Sequence, residues 1–156
     1  MSGAASQGDA RAGSGSPQFD ERGLPAGFLL KEDLEIAPRD AHAALRDAKR
    51  GAMLLDCRSQ EEFDTASVAG STLIPLPELG QRLDELEDVL DERGGKEVMV
   101  ICHSGRRSLK ATLLLRQAGF ENVRSVAGGI DLWSLAVDAS VPRYDKSSGR
   151  CVVISK

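Results

Sequence analysis

From about residue 34 onward, apolar residues fall into two kinds of run that alternate along the chain. Ala52-Met53-Leu54-Leu55 and Val98-Met99-Val100-Ile101 are continuous, with no polar residue at every second position. A strand covered by helices on both faces needs that pattern, because neither of its faces meets water. Shorter apolar pieces at Leu34–Ile36, Ser71–Pro75 and Val123–Val126 predict three further strands. Between the strands the spacing turns helical. Ala41, Ala44, Leu45 and Ala48 follow Pro38 on one side of a helix that Lys49-Arg50-Gly51 ends. Leu79, Leu83, Leu86 and Leu90 fall at intervals of four, three and four, so they share one face of a helix that Gly94-Gly95 ends. A further helix carries Leu109, Thr112, Leu113 and Arg116 before Gly119, and a short one bears Ile130 and Trp133 after Gly128-Gly129. Strict alternation of strand and helix predicts the α/β class: an open, mainly parallel sheet of about five strands, flanked by helices on both faces through right-handed crossovers. In such sheets ligands bind at the carboxyl ends of the strands. Asp56-Cys57-Arg58, Cys102–Ser108 and Gly128-Gly129 fall there.

The flanks read differently. Residues 1–28 are rich in Gly, Ala, Ser and Pro and carry large apolar residues only singly, too few to offset the entropy of ordering them. They are expected to be a disordered tail, with the folded domain at 29–144. Residues 145–156 form a C-terminal tail in which Cys151-Val152-Val153-Ile154 is a candidate extra edge strand.

The 156 residues, 41% hydrophobic and 28% charged, suit one globular domain. With 24 acidic against 20 basic residues and a net charge of -4, the chain offers no broad basic surface, so nucleic acid is not an expected partner. No apolar run has the length of a bilayer span or a signal peptide, which predicts a soluble cytoplasmic protein without a membrane partner. The three cysteines, Cys57, Cys102 and Cys151, form no C-x-x-C pair, and His42 and His103 are the only histidines. Neither a disulfide framework nor a metal site is expected, and no cofactor is implied.

The candidate chemistry lies in Cys102-His103-Ser104-Gly105-Arg106-Arg107-Ser108, between a buried strand and a helix. A cysteine there meets converging backbone N–H groups and the positive end of the helix, with His103, Arg106 and Arg107 close in sequence; all of these favour thiolate over thiol. Two arginines opening a helix oppose its dipole unless an anion is bound. Gly105 supplies the backbone freedom that a loop curled around one point requires. The competing reading makes Cys102 a small apolar residue at a strand end, followed by a solvated helix.

Several ordered motifs together resemble a single-domain rhodanese: Leu54–Phe63 with its Asp56-Cys57-Arg58, Gly70-Ser71 with Ile74-Pro75-Leu76, Cys102–Ser108, Gly119–Val123, Gly128–Trp133 and the ending Val141-Pro142-Arg143-Tyr144. The resemblance covers about residues 34–144. It implies a sulfurtransferase in which Cys102 takes sulfane sulfur from an anionic donor such as thiosulfate, holds it as a persulfide and passes it to cyanide or a thiol, a protein thiol being a possible partner. His103, Ser104, Gly105, Arg106, Arg107 and Ser108 would bind the substrate, their amides stabilising the sulfur and Arg107 attracting the donor. Asp56 and Arg58 would brace the pocket by ion pairing. Ser67 stands where many members have a histidine. Cys57, near the loop at a strand end, is placed to pair with Cys102 or resolve its persulfide, but it fills a position the family often gives to valine and reads as an apolar filler.

Two other readings are open. A rhodanese-like module could bind a partner or sense redox state without turnover. Cysteine-dependent phosphatases and arsenate reductases form the other class, but five residues separate cysteine from arginine in the phosphatase loop, against four here; the shorter loop suits a single sulfur better than a tetrahedral oxyanion. Trp133 and Phe63 are expected in the core, His42 at the boundary, and the acidic run from Asp84 to Glu92 on the solvated side of its helix.

Overall fold

The computed structural model describes residues 18–95 and 97–154. Five strands, β1 (Glu35–Ile36), β2 (Ala52–Asp56), β3 (Thr72–Leu73), β4 (Glu97–Ile101) and β5 (Val123–Val126), form one sheet in the order β1-β5-β4-β2-β3. Every pairing in it is parallel. The helices are α1 (Pro38–Arg46), α2 (Gln60–Thr65), α3 (Leu76–Leu79), α4 (Leu83–Glu92), α5 (Arg106–Gln117) and α6 (Gly129–Ala136).

The continuous apolar runs become β4, the central strand, and its interior neighbour β2, which pair in register from Ala52↔Glu97 to Asp56↔Ile101. Their residues alternate between two cores, one on each face of the sheet. Leu54, Met99 and Ile101 pack with Ala41 and Ala44 of α1 and Ile130 and Trp133 of α6. Met53, Leu55, Val98 and Val100 point the other way, against Leu79, Leu86, Ala111 and Leu115 of α3, α4 and α5. Helices therefore cover both faces. Among the described residues no helix is long and apolar enough to cross a membrane.

Three expectations are corrected. Residues 18–28, expected within a disordered tail, pack onto the domain; residues 1–17 lie outside the described residues. Leu24 is 6% exposed and joins Ala37, Ala127, Leu132 and Ala136, with Phe19 and Phe28 against the same cluster. Arg22 ties the segment down through Asp40 at 2.8 Å and Glu32 at 3.0 Å. The leucine stripe from Leu79 to Leu90 spans two helices rather than one. The chain leaves helical geometry after Gly80, a poor helix former, and at Arg82 (φ -121°, ψ 27°); Arg82 clamps the break by pairing with Glu78 and Glu85. Finally, the C-terminal segment adds no edge to the main sheet. β7 (Val152–Val153) folds back antiparallel on β6 (Tyr144–Asp145) as a separate ribbon. The turn is set by Asp145, whose carboxylate accepts from the Ser147 amide at 2.8 Å, and by Gly149 at φ 88°. That ribbon carries Tyr144 and Lys146 to the site.

Candidate active site

Cys102 follows the last residue of β4, and α5 begins at Arg106, so the loop between them closes at the carboxyl end of the sheet. Two backbone features shape it. The carbonyls of Cys102 and His103 are drawn outward by the first amides of α6, from Ile130 N at 2.7 Å and Asp131 N at 3.1 Å. This close approach requires Gly129, since a β-carbon there would run into both carbonyls. With those carbonyls turned away, later amides face inward. Gly105, at φ 109°, then reverses the chain into α5.

The amides of Gly105 and Ser108 point at the Cys102 sulfur from 3.1 and 3.3 Å. Of the six amides expected to converge on it, these two lie within hydrogen-bonding distance. The Ser108 hydroxyl is also 3.3 Å from Sγ and 2.7 Å from the hydroxyl of Ser125 on β5. Cys102 is 1% exposed, and burial alone would favour the neutral thiol. The donors win. The adjacent Cys57 thiol gives the largest effect, followed, against the opposing effect of burial, by the Ser108 hydroxyl and the Ser108 and Gly105 amides; together they lower the Cys102 pKa to about 5. Cys57, whose thiol donates to the Ile101 carbonyl at 3.6 Å, is pushed up by the neighbouring Cys102 first and by its own burial next, and stays protonated.

This ionisation has a measurable signature. Because alkylation follows the thiolate fraction, the iodoacetamide rate at Cys102, followed by peptide mapping, should be level at neutral pH. It should fall about tenfold per unit below a midpoint near pH 5. A midpoint at the ordinary thiol value would contradict the cradle. Since the folded pKa lies below the unfolded one, the associated stability is fully present above the ordinary thiol pKa and is lost as pH falls through about 5.

A buried polar network supports the loop. Arg58, fully enclosed, donates Nε to Asp56 Oδ1 at 2.9 Å and Nη2 to Asp56 Oδ2 at 2.6 Å, and reaches the Tyr144 hydroxyl at 3.0 Å and the Ala66 carbonyl at 2.6 Å. Arg107 does not stand free toward solvent. It grips the carboxylate of Glu62 with both terminal nitrogens, at 2.7 and 2.8 Å. Glu62 also accepts from the Tyr144 hydroxyl at 2.7 Å and from Lys146 at 3.2 Å. Burial opposes its charge, but Arg107, Tyr144 and Lys146 overcome that and hold it well below the usual carboxylate range. Of the other loop residues, His103 stacks on the Tyr144 ring with centroids 4.3 Å apart. Ser104 and Arg106 are exposed. Trp133 lies in the core as expected, whereas Phe63 is half-buried and lines a cavity.

That cavity, about 740 Å³, is lined by Cys57, Arg107 and Lys146 together with apolar Phe63, Leu73 and Pro75. Sequence reasoning assigned no role to Glu62, Tyr144, Lys146 or Ser125. The Ser59-x-x-Glu62 spacing is that of a helix capping box, and the box forms, with Ser59 Oγ accepting from the Glu62 amide at 3.2 Å. This local role gives no hint that the same carboxylate also meets Arg107 45 residues on. Ser125 follows Arg124 in the short strand Val-Arg-Ser-Val, where a second polar residue gives no separate signal.

The arrangement holds the Cys102 sulfur under the Gly105 and Ser108 amides, with Arg107 of the same loop paired to Glu62. The chain matches the family described as rhodanese-like domain over residues 38–136. It is 35% identical over 130 residues to the adenylyltransferase and sulfurtransferase MOCS3-1 of Zea mays, an alignment covering 83% of this chain and 27% of that protein; the chain thus spans about a quarter of that relative. It is 35% identical over 88 residues to the putative sulfur carrier protein YrkF of Bacillus subtilis, covering 56% of this chain and 44% of that protein. Among solved structures, the human single-domain sulfurtransferase TSTD1 superposes with a TM-score of 0.50 at 28% identity, covering 60% of this chain and 88% of the other.

Proposed function

This chain belongs to the rhodanese-like domain family, and from that premise we propose that it is a sulfurtransferase working through a persulfide on Cys102. The observation that carries the proposal is the Cys102 sulfur held at 3.1 and 3.3 Å by the Gly105 and Ser108 amides, donors that favour the thiolate. The Cys102 thiolate attacks the outer sulfur of thiosulfate, the sulfur–sulfur bond of the donor breaks, and sulfite leaves with its electron pair. The negative charge then resides on the outer sulfur of the persulfide. Attack by cyanide or a thiolate on that outer sulfur returns the Cys102 thiolate. The two amides stabilise a sulfur anion in the manner of an oxyanion hole, and the covalent intermediate divides the transfer into two steps.

Attraction of the donor falls to Arg107 and Lys146, two cations set against the single carboxylate of Glu62. The four-residue spacing between Cys102 and Arg107 supports sulfur rather than phosphate as the transferred group. The apolar wall of the cavity favours an organic or protein thiol as the natural donor or acceptor, and we place the reaction in the cytosol, where thiols stay reduced.

The test is formation of thiocyanate from thiosulfate and cyanide. Wild-type protein is expected to turn over, with Arg107→Ala raising KM for thiosulfate about tenfold and weakening the salt dependence of the rate. No thiocyanate from wild type would overturn the donor assignment, and an unchanged KM and salt dependence would remove Arg107 from it. Cys102-dependent hydrolysis of p-nitrophenyl phosphate would instead identify a phosphatase.

A further inference from the structure

Cys57 forms no bond to sulfur in the transfer just described, yet it stands on the strand beside the reacting cysteine. β2 and β4 are parallel and in register through Asp56↔Ile101, and the Cys57 amide continues the ladder by donating to the Ile101 carbonyl at 3.1 Å. Cys57 and Cys102 are thus the next residues on neighbouring strands. Both belong to the same core cluster as Met53, Leu55, Val98 and Val100, so their side chains leave the sheet on one face. Adjacent strands lie ~4.8 Å apart, within the ~4.4–6.8 Å between α-carbons that a disulfide takes. The Cys57 thiol donates to the Ile101 carbonyl at 3.6 Å, the carbonyl directly before Cys102. Cys57 also borders the cavity.

We propose that Cys57 is a resolving thiol, giving the protein a second activity: release of the bound sulfane sulfur as hydrosulfide with closure of a Cys57–Cys102 disulfide. The inference rests on the persulfide reading of Cys102. Cys57 attacks the inner sulfur, Cys102 Sγ; the bond from Sγ to the outer sulfur breaks, and the outer sulfur departs with that electron pair. It takes up the Cys57 proton and leaves as hydrosulfide. The persulfide is reduced and the two cysteines are oxidised, so no outside oxidant is needed.

The structure also explains why the step waits for loading. In the resting protein neither sulfur carries a leaving group, so neither can be attacked by the other without an outside oxidant. Once loaded, the charge sits on the outer sulfur, Sγ becomes electrophilic, and a good leaving group is attached to it. A chain left without an acceptor therefore discharges itself and is locked as a disulfide until a dithiol reduces it, the two hydrogens passing from the dithiol to the cysteines.

The full chain is loaded with thiosulfate, freed of small molecules and kept without acceptor, while intact mass and released sulfide are followed. Wild type is expected to gain the mass of one sulfur, then lose it together with two hydrogens, releasing one sulfide per chain and yielding a linked peptide pair holding Cys57 and Cys102. Cys57→Ser, and Cys57→Val as an apolar replacement, should hold the extra sulfur at least about tenfold longer; Cys151→Ser should behave as wild type. Persulfides of equal lifetime in wild type and both Cys57 variants would overturn the resolving role while leaving the sulfur-carrier reading intact. Absence of any sulfur gain in all the proteins would overturn that reading and this step with it.

Discussion

Cys102→Ala is expected to lower thiosulfate-to-cyanide transfer by about ten-thousand-fold or more, to the uncatalysed background, while the protein stays folded. In the proposed transfer the loss is large because the substitution removes the atom that bonds to the travelling sulfur; the arginines and the loop amides bind charge but supply no electron pair. Cys102→Ser tests the same point more sharply. A hydroxyl can take up the Gly105 and Ser108 hydrogen bonds, but these same donors cannot bring an alcohol near ionisation at neutral pH, so this variant should be inactive as well. Thermal melts of both variants close to wild type, with no thiocyanate formed, are the expected outcome. Residual turnover within tenfold of wild type in either would place the chemistry elsewhere.

Glu62→Ala should be the most damaging change to stability. Its carboxylate is fully enclosed and accepts from Arg107, Tyr144, Lys146 and Ser59. Removing it leaves a half-buried guanidinium and a buried hydroxyl without their anion, and breaking one side of such a pair costs about 3–5 kcal/mol. Since a domain of this size has only about 5–15 kcal/mol in hand, urea denaturation at neutral pH should show a large drop in midpoint. A change under about 1 kcal/mol would contradict the network. The sign of the pH dependence follows from the direction of the shift. Folded Glu62 titrates below its unfolded value, so its contribution is present above the ordinary glutamate pKa and fades as pH falls beneath it; wild type should lose stability there more steeply than Glu62→Ala.

Much of this was legible in the sequence where one residue answers to one local cause. The runs at 52–55 and 98–101 are apolar at every position because two cores claim alternate residues, and that demand is visible without coordinates. The loop shape at Cys102 was readable from Gly105 between a buried strand and a helix start, although the cysteine alone would equally suit an apolar filler. Residues with two jobs were not legible. Glu62 caps its own helix and also neutralises Arg107, and only the first job leaves a pattern in neighbouring positions. Tyr144 and Lys146 reach the site because the C-terminal ribbon folds back, a choice made by the Asp145 and Gly149 turn rather than by the alternation of apolar residues. Leu24 escaped notice because a lone anchor has no periodicity. For Cys57, the familiar valine of related chains suggested a filler; the register of β2 with β4 sets it beside Cys102.

The central claim is that the sulfur of residue 102 is the carrier, and its most direct measurement is tandem mass spectrometry of protein quenched promptly after exposure to thiosulfate and alkylated to cap every thiol. The extra sulfur is expected on the peptide containing Cys102, with Cys57 and Cys151 carrying none. An extra sulfur found on Cys57 or Cys151, with Cys102 unmodified, would contradict the account.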